Sequence, residues 1–407
     1  MEFTTHLVCR ECGKKYPLEP LTVCEDCFGP LELDYDYERI RHSLTKKILK
    51  SRPQTMWRYK EFLPLKGEPR VGKDVGFTPL IHASRLGETL GLKNLYLKND
   101  AVNFPTLSFK DRVVSVSISK AIEFGFTVVG CASTGNLANA VAAQAAASGL
   151  ESYIFIPEDL EAAKIMASAV YRPHLIKVKN NYDAVNRLCS EIADEKGWAI
   201  VNVNLRPYYA EGSKTMGYEI LEQLGFRVPD NVIIPMAGGS LLNKIKKSFD
   251  EFETMEWIDT HKTRFFGAQA TGCAPISTAF KKNSSEIQPV KPQTIAKSLA
   301  IGNPADGHYA VQTIRNSGGR ADDVSDREIV DAIKLLAVTE GIFTETAGGV
   351  TIGVLKKMVE EKEIRPDELT VACITGQGLK TIEALSERDY PIPVIEADYD
   401  QFEALLH

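Results

Sequence analysis

From about Leu80 onward, short apolar runs alternate with longer stretches whose apolar residues recur every three or four positions. The runs LYLKND, TVVGCAS, SYIFIP, HLIKVK, AIVNVN, NVIIPMA, RFFGAQA and LTVACIT read as buried strands. Between them, DRVVSVSISKAIEFG, NLANAVAAQAAASG, NYDAVNRLCSEIADEKG and SLLNKIKKSFDEF read as helices. Strands alternating with helices predict an α/β protein, with mostly parallel sheet covered by helices on both faces. Two segments stand apart. Residues 1–30 are rich in cysteine and turn residues. Residues 31–80 are charged, carry Pro53, Pro64, Pro69 and Pro79, and read as a connecting segment with short helices. The chain shows no repeat of fixed period and no low-complexity tract.

In an open α/β sheet, ligands sit beyond the carboxyl ends of the strands, and four such junctions carry candidate chemistry. In LYLKNDAVNFPTLSFKDR a strand enters a proline-containing loop, and Ser108 and Asp111 have the spacing of a capping box. Lys110 then falls in the first helical turn, where the positive end of the helix dipole disfavours an ammonium and favours a neutral, nucleophilic amine. In TVVGCASTGNLANA, Ser133-Thr134-Gly135-Asn136 leads from strand to helix; two hydroxyls and free N–H groups suit an anion such as a carboxylate. In NVIIPMAGGSLLNKI, Ala237-Gly238-Gly239-Ser240 lets backbone N–H groups approach a phosphate closely. In LTVACITGQGLK, Thr375 ends a strand with a hydroxyl placed to meet a ring nitrogen. Taken singly, each junction is equally an ordinary N-cap or glycine turn.

Composition adds limits. The 407 residues suffice for two or three domains, and 44% hydrophobic with 25% charged residues is ordinary for a globular protein. A net charge of −6 offers no footprint for nucleic acid or for an anionic membrane, so any anionic ligand needs a local site. No run of about 18 apolar residues is present, so no transmembrane helix is expected. The N-terminus MEFTTHLVCRECGKKY lacks the apolar core of a signal peptide. A nicotinamide dehydrogenase would need a GxGxxG turn after its first strand, and none is found.

The eight cysteines fall into two groups. Cys131, Cys189, Cys273 and Cys373 are scattered and read as reduced core thiols, which suits a cytoplasmic location. Cys9-x2-Cys12 and Cys24-x2-Cys27 form two knuckles separated by eleven residues. Four thiolates at this spacing suit a closed, tetrahedral, structural zinc site. Disulfides are the other reading of the same spacing. A zinc ribbon can also be a binding module for protein or nucleic acid, but the acidic charge and large body argue against that as the main role.

Together and in this order, the motifs resemble the fold type II pyridoxal-phosphate enzymes (tryptophan synthase β-like), and within them the threonine synthases. PTLSFKDRV is similar to that family's PTGSFKDRG, and the ASTGN loop is intact at 132–136. EGSKT at 211–215, SLAIGNPA at 298–305 and TGQGLK at 375–380 resemble EGQKT, an IGNP stretch and TGHGLK. The resemblance implies two lobes with the cofactor between them, and usually a homodimer. It divides the chain into a zinc-ribbon-like extension (1–32), a segment packing on the large lobe (33–84), a smaller lobe with the Schiff-base lysine (85–205) and a larger lobe with the phosphate loop (206–407). It implies Lys110 as Schiff-base lysine and proton carrier, and Asn136 as partner of the cofactor's ring hydroxyl. Ser133 and Thr134 would bind the substrate carboxylate. Ala237, Gly238, Gly239, Ser240 and Leu241 would cradle the cofactor phosphate, and Thr375 would face the pyridine nitrogen. The implied reaction turns O-phosphohomoserine and water into threonine and phosphate.

The departures concern substrate. Where the family has NSxNPxRxEGQKT, this chain has VNLRPYYAEGSKT, so Tyr209 stands in the place of an arginine that helps hold the substrate phosphate. Arg206 and Lys164 are the cations expected to compensate, because a tyrosine offers no cationic fork. Leu107 replaces a glycine and would put a bulkier group beside the cofactor. Cysteate synthase-like or cysteine synthase-like β-replacement on O-phosphoserine therefore remains open. A threonine dehydratase-like reaction is disfavoured, since its substrate brings no phosphate.

Overall fold

A computed structural model describes residues 3–133, 135–158, 160–179, 182–385 and 392–406. Two parallel sheets carry the architecture. The larger has the strand order Ala321–Val324, Arg264–Ala270, Asn231–Pro235, Thr370–Ile374, Leu95–Asn99 and Leu80–His82. All its neighbours run parallel except the last pair. The smaller has the order His174–Val178, Glu151–Pro157, Val128–Ala132 and Ala199–Ile200, all parallel.

The central strands are buried along their whole length, as expected where helices cover both faces. Period-two alternation feeds two cores. Val232, Ile234, Val371 and Cys373 join Leu242, Ile245 and Phe249 of the helix Ser240–Thr254. Ile233, Ala372 and Ile374 point the other way, to Val350, Val354 and Leu355 of the helix Thr346–Glu360. In the smaller sheet, Val129 and Cys131 face the helices Lys110–Glu123 and Asn136–Ser148. Ala132 faces Val185 and Cys189 of the helix Tyr182–Lys196.

Three readings of the sequence change here. Leu95–Asn99, assigned above to residues 85–205, is hydrogen-bonded to Thr370–Ile374 in the larger sheet. Its side chains Leu95 and Leu97 complete that sheet's core. The run AIVNVN pairs only at Ala199–Ile200 and then turns. Asn202 accepts from the Ala132 N–H and Asn204 from the Ile200 N–H, so these amides bond backbone in place of a ladder. The edge strands Leu80–His82 and Ala321–Val324 were not foreseen.

The extension is a three-stranded antiparallel sheet, Lys15–Tyr16, Thr4–Cys9 and Leu31–Tyr35. It is fastened to the body by the Tyr208 hydroxyl donating to the Glu19 carbonyl at 2.8 Å. Lys244 binds both Glu32 and Glu211, and Tyr35 donates to Glu211. Beneath it, Arg112 is fully buried with Asp100, Glu219 and Lys98: Arg112 binds Asp100 at 2.6 Å and Glu219 at 2.5 Å, and Lys98 binds Glu219 at 2.6 Å.

Candidate active site

The loops after Asn231–Pro235, Thr370–Ile374 and Val128–Ala132 converge with Lys110 on a cavity of about 300 Å³. Ser133, Asn136, Ala237, Gly238, Gly239, Ser240, Leu241, Thr375 and Arg206 all line it. The fold thus brings nine of the candidate residues together with Lys110 around one cavity. Thr134 lies outside the described residues.

Lys110 is the first residue of the helix Lys110–Glu123. Burial pushes its amine down from 10.5 to about 8, while the charge of Glu345 pulls it back up. Burial thus dominates where the helix dipole was expected to. Among the described residues the amine makes one side-chain hydrogen bond, donating to the Tyr209 hydroxyl at 3.1 Å. The expected capping box is absent. The helix begins at Phe109 with no side-chain cap; Ser108 is tied to Gly376 across an isolated bridge, and the Asp111 carboxylate accepts from Thr106 instead. That tie fixes the catalytic turn against the Thr375 edge: the Phe109 N–H donates to the Thr375 carbonyl at 2.9 Å.

Gly239 holds φ +91°, a left-handed conformation natural to glycine, and N-caps the helix Ser240–Thr254. The first-turn N–H groups of that helix have no intrahelical acceptor. A Cβ on Gly238 would meet nothing within 4 Å, so the loop is open on the cavity side. Asn136 is held at both ends of its amide, donating to both Glu345 oxygens at 3.0 and 2.8 Å and accepting from Lys380 at 3.1 Å. The buried Ser298 hydroxyl lines the same cavity and has no hydrogen-bond partner among the described residues.

These features fit pyridoxal phosphate. The volume lies at the lower end of small-ligand sites, the glycine loop suits a phosphate, an amine near its titration point faces the space, and an orphaned hydroxyl awaits a polar group. Tyr209 entered the sequence reading only as a departure; Glu345, Lys380 and Ser298 were missed. Glu345 follows the apolar GIF run and N-caps a helix, and nothing in that pattern signals a site.

The two compensating cations part company. Arg206 lines the cavity and is paired with Asp306 at 2.8 Å. Lys164 is fully buried, lies over Gly135 and binds Glu161 at 3.1 Å, outside the cavity lining. It packs against the carboxylate loop because only a glycine at 135 leaves room for its methylenes. Leu107 also differs from expectation. Its side chain is 41% exposed and does not line the cavity; the position holds φ +58°, which accounts for the family's glycine there.

The sulfurs of Cys9, Cys12, Cys24 and Cys27 lie within 4.8 Å of one another. A tetrahedral zinc with bonds of about 2.3 Å needs sulfurs roughly 3.8 Å apart; the Cys9–Cys27 and Cys12–Cys24 pairs stand at 3.4 and 3.6 Å. Backbone N–H groups of Glu11, Cys12, Lys14, Asp26, Cys27 and Gly29 point at the sulfurs and favour thiolates. A Cβ on Gly29 would stand 2.8 Å from the Cys9 sulfur, so only glycine closes the second knuckle. The donor set fits zinc. Cys9→Ser is expected to cost the protein one zinc per chain, by elemental analysis, and to lower its thermal midpoint by several degrees. A wild-type protein free of metal and as stable as the variant would refute the site.

Residues 71–376 match the family model described as pyridoxal-phosphate dependent enzyme. The chain is 41% identical over 402 residues to the threonine synthase of Methanocaldococcus jannaschii, covering 98% of each. It is 37% identical to that of Methanosarcina acetivorans, covering 97% of each. Among solved structures it resembles diaminopropionate ammonia lyase from Escherichia coli, with a TM-score of 0.66 at 16% identity over 84% of this chain and 91% of that one. A processed threonine deaminase from Solanum lycopersicum gives a TM-score of 0.61 at 23% identity over 74% and 83%.

Proposed function

This chain belongs to the pyridoxal-phosphate-dependent enzymes and, within them, to the threonine synthases, and we propose that it converts O-phosphohomoserine and water to threonine and phosphate with Lys110 as its central catalytic group. The observation that carries the assignment of roles is the convergence of the lysine, the glycine loop, the carboxylate loop and the Thr375 edge on one cavity.

When bound, pyridoxal phosphate makes the hydrogens of an amino acid acidic by drawing electrons into its ring. Lys110 would hold the cofactor's aldehyde group, and its amine would serve as base toward the α-hydrogen and, once it has given that proton up, toward a β-hydrogen. With its amine titrating at about 8, roughly half is neutral near pH 8, enough for a base. The Ala237–Leu241 backbone would hold the cofactor phosphate, and Asn136, oriented by Glu345 and Lys380, would bond the ring hydroxyl. Thr375 offers the ring nitrogen a neutral hydroxyl, which suits elimination, where the leaving phosphate takes the electrons. Ser133 and Thr134 receive the substrate carboxylate. Arg206 receives its phosphate, and Lys164 stiffens the carboxylate loop from behind.

The four-cysteine knuckle binds zinc and has no open position for catalysis. The scattered thiols support a reducing, cytoplasmic setting, and the working unit is a homodimer, as the resemblance to fold type II enzymes implies. No helix among the described residues is long and apolar enough to cross a membrane.

The test is a product assay on protein loaded with pyridoxal phosphate. Threonine and phosphate are expected from O-phosphohomoserine alone. Cysteate or cysteine from O-phosphoserine with sulfite or sulfide, and no threonine, would overturn the substrate assignment.

A further inference from the structure

The Lys110 amine hydrogen-bonds Tyr209, and Tyr209 stands where the resembled enzymes have an arginine. We propose that Tyr209 is a catalytic residue, whose hydroxyl holds the Lys110 amine in line for successive proton transfers after the substrate has displaced it from the cofactor. The inference rests on the reading of Lys110 as the cofactor lysine and proton carrier.

A displaced lysine is a long, flexible chain, and a base misplaced by about 1 Å loses much of its rate. Among the described residues, few groups are near enough to hold it. Lys110 has Phe109 on one side, with its amine 5.5 Å from that ring's centre, and the Tyr209 ring on the other at 5.7 Å. Glu345 acts on it through charge. Tyr209 supplies the hydrogen bond, at 3.1 Å.

A hydroxyl serves both protonation states of the amine. As an acceptor it takes an N–H of the amine in either state, ammonium or neutral, and so leaves the neutral amine's lone pair free for the substrate's proton. In each transfer the substrate's C–H bond breaks and an N–H bond forms on Lys110, which gives that proton up before it takes the next; the pyridoxal ring would draw off the carbon's electron pair. Tyr209 keeps its own proton throughout, and burial, which raises its pKa, keeps it a neutral phenol. An arginine in this place would set a fixed positive charge beside an amine that must gain one with each proton taken. The tyrosine removes that repulsion, and leaves the substrate's phosphate to Arg206, three residues earlier on the same short helix, Arg206–Glu211.

Tyr208, the neighbouring residue, fixes that helix from its other side by donating to the Glu19 carbonyl. The Tyr209 hydroxyl is thus presented from a helix braced against the N-terminal sheet.

The test is Tyr209→Phe in the cofactor-loaded enzyme, which keeps the ring and removes the hydroxyl. The visible absorbance of the bound cofactor is expected to stay. Two rates are expected to fall together by about tenfold or more: kcat on O-phosphohomoserine, and exchange of the α-hydrogen of L-2-aminobutyrate with solvent deuterium. KM is expected to change less than twofold. The acid limb of the kcat profile should also move, because Tyr209 accepts a hydrogen bond from the amine that takes the proton.

Unchanged exchange and kcat would overturn the proposal. A raised KM with unchanged kcat would overturn it as well, by making Tyr209 a substrate contact. Loss of the cofactor band with circular dichroism intact would make the hydroxyl a cofactor-holding group and would also refute it. L-2-aminobutyrate carries no phosphate, so slowed exchange alongside absent threonine synthesis would support Tyr209 while refuting the substrate assignment.

Discussion

Lys110→Ala is expected to lose the visible absorbance of bound pyridoxal phosphate and to lower threonine formation by at least about 10⁴-fold. Removing a general base alone costs roughly 10²–10⁴-fold, and the same side chain also fastens the cofactor. The fold should survive. Among the described residues Lys110 makes one side-chain hydrogen bond, borders a cavity and forms no salt bridge, so its truncation breaks no buried ion pair. Absorbance spectra with and without borohydride, beside circular dichroism, check this directly. A variant that keeps the borohydride-sensitive band would move the cofactor to another lysine.

The second large effect concerns stability. Arg112, two residues on, sits in a fully buried set of two cations and two carboxylates, Arg112 and Lys98 with Asp100 and Glu219. The set joins the helix Lys110–Glu123, the strand Leu95–Asn99, the helix Lys214–Gln223 and, through the Phe77 N–H on Glu219, the N-terminal segment. Arg112→Met leaves one cation facing two carboxylates in the dry interior and is expected to cost about 3–5 kcal/mol. Adding Glu219→Gln rebalances the charge and should recover part of that loss. Denaturant midpoints of the two variants measure it; an equal loss in both would show that packing matters more than charge. Glu219 also links stability to acid. These cations hold it down at about 2 against an ordinary 4.5, so its contribution is complete above about pH 4.5 and fades as pH falls toward 2.

The cofactor loops were legible because each has a local physical signature: a strand ends, glycines or hydroxyls follow, and a helix starts. Gly238, Gly239, Ser133, Asn136 and Thr375 all lie where that grammar puts them. The cysteine spacing was legible for the same reason, since both knuckles are short loops. What failed depended on long-range packing. Ser108 and Asp111 have the letters of a capping box, but the bridge to Gly376 and the hydrogen bonds from Thr106 take both residues. Leu95–Asn99 reads as a strand without revealing which sheet it joins. Glu345 reaches the site only because its helix begins beside the Thr375 edge, 209 residues from the Asn136 it orients. Lys164 matched by position, yet a salt bridge to Glu161 and the gap above Gly135 draw it behind the loop.

The helix Arg206–Glu211 is only six residues long, and four of its side chains answer to different masters. Arg206 and Tyr209 look into the cavity, whereas Tyr208 and Glu211 grip the N-terminal sheet. So short a helix moves as one body. A change in the N-terminal sheet that frees Tyr208 and Glu211 therefore also frees the part of the cavity wall that carries Arg206 and Tyr209.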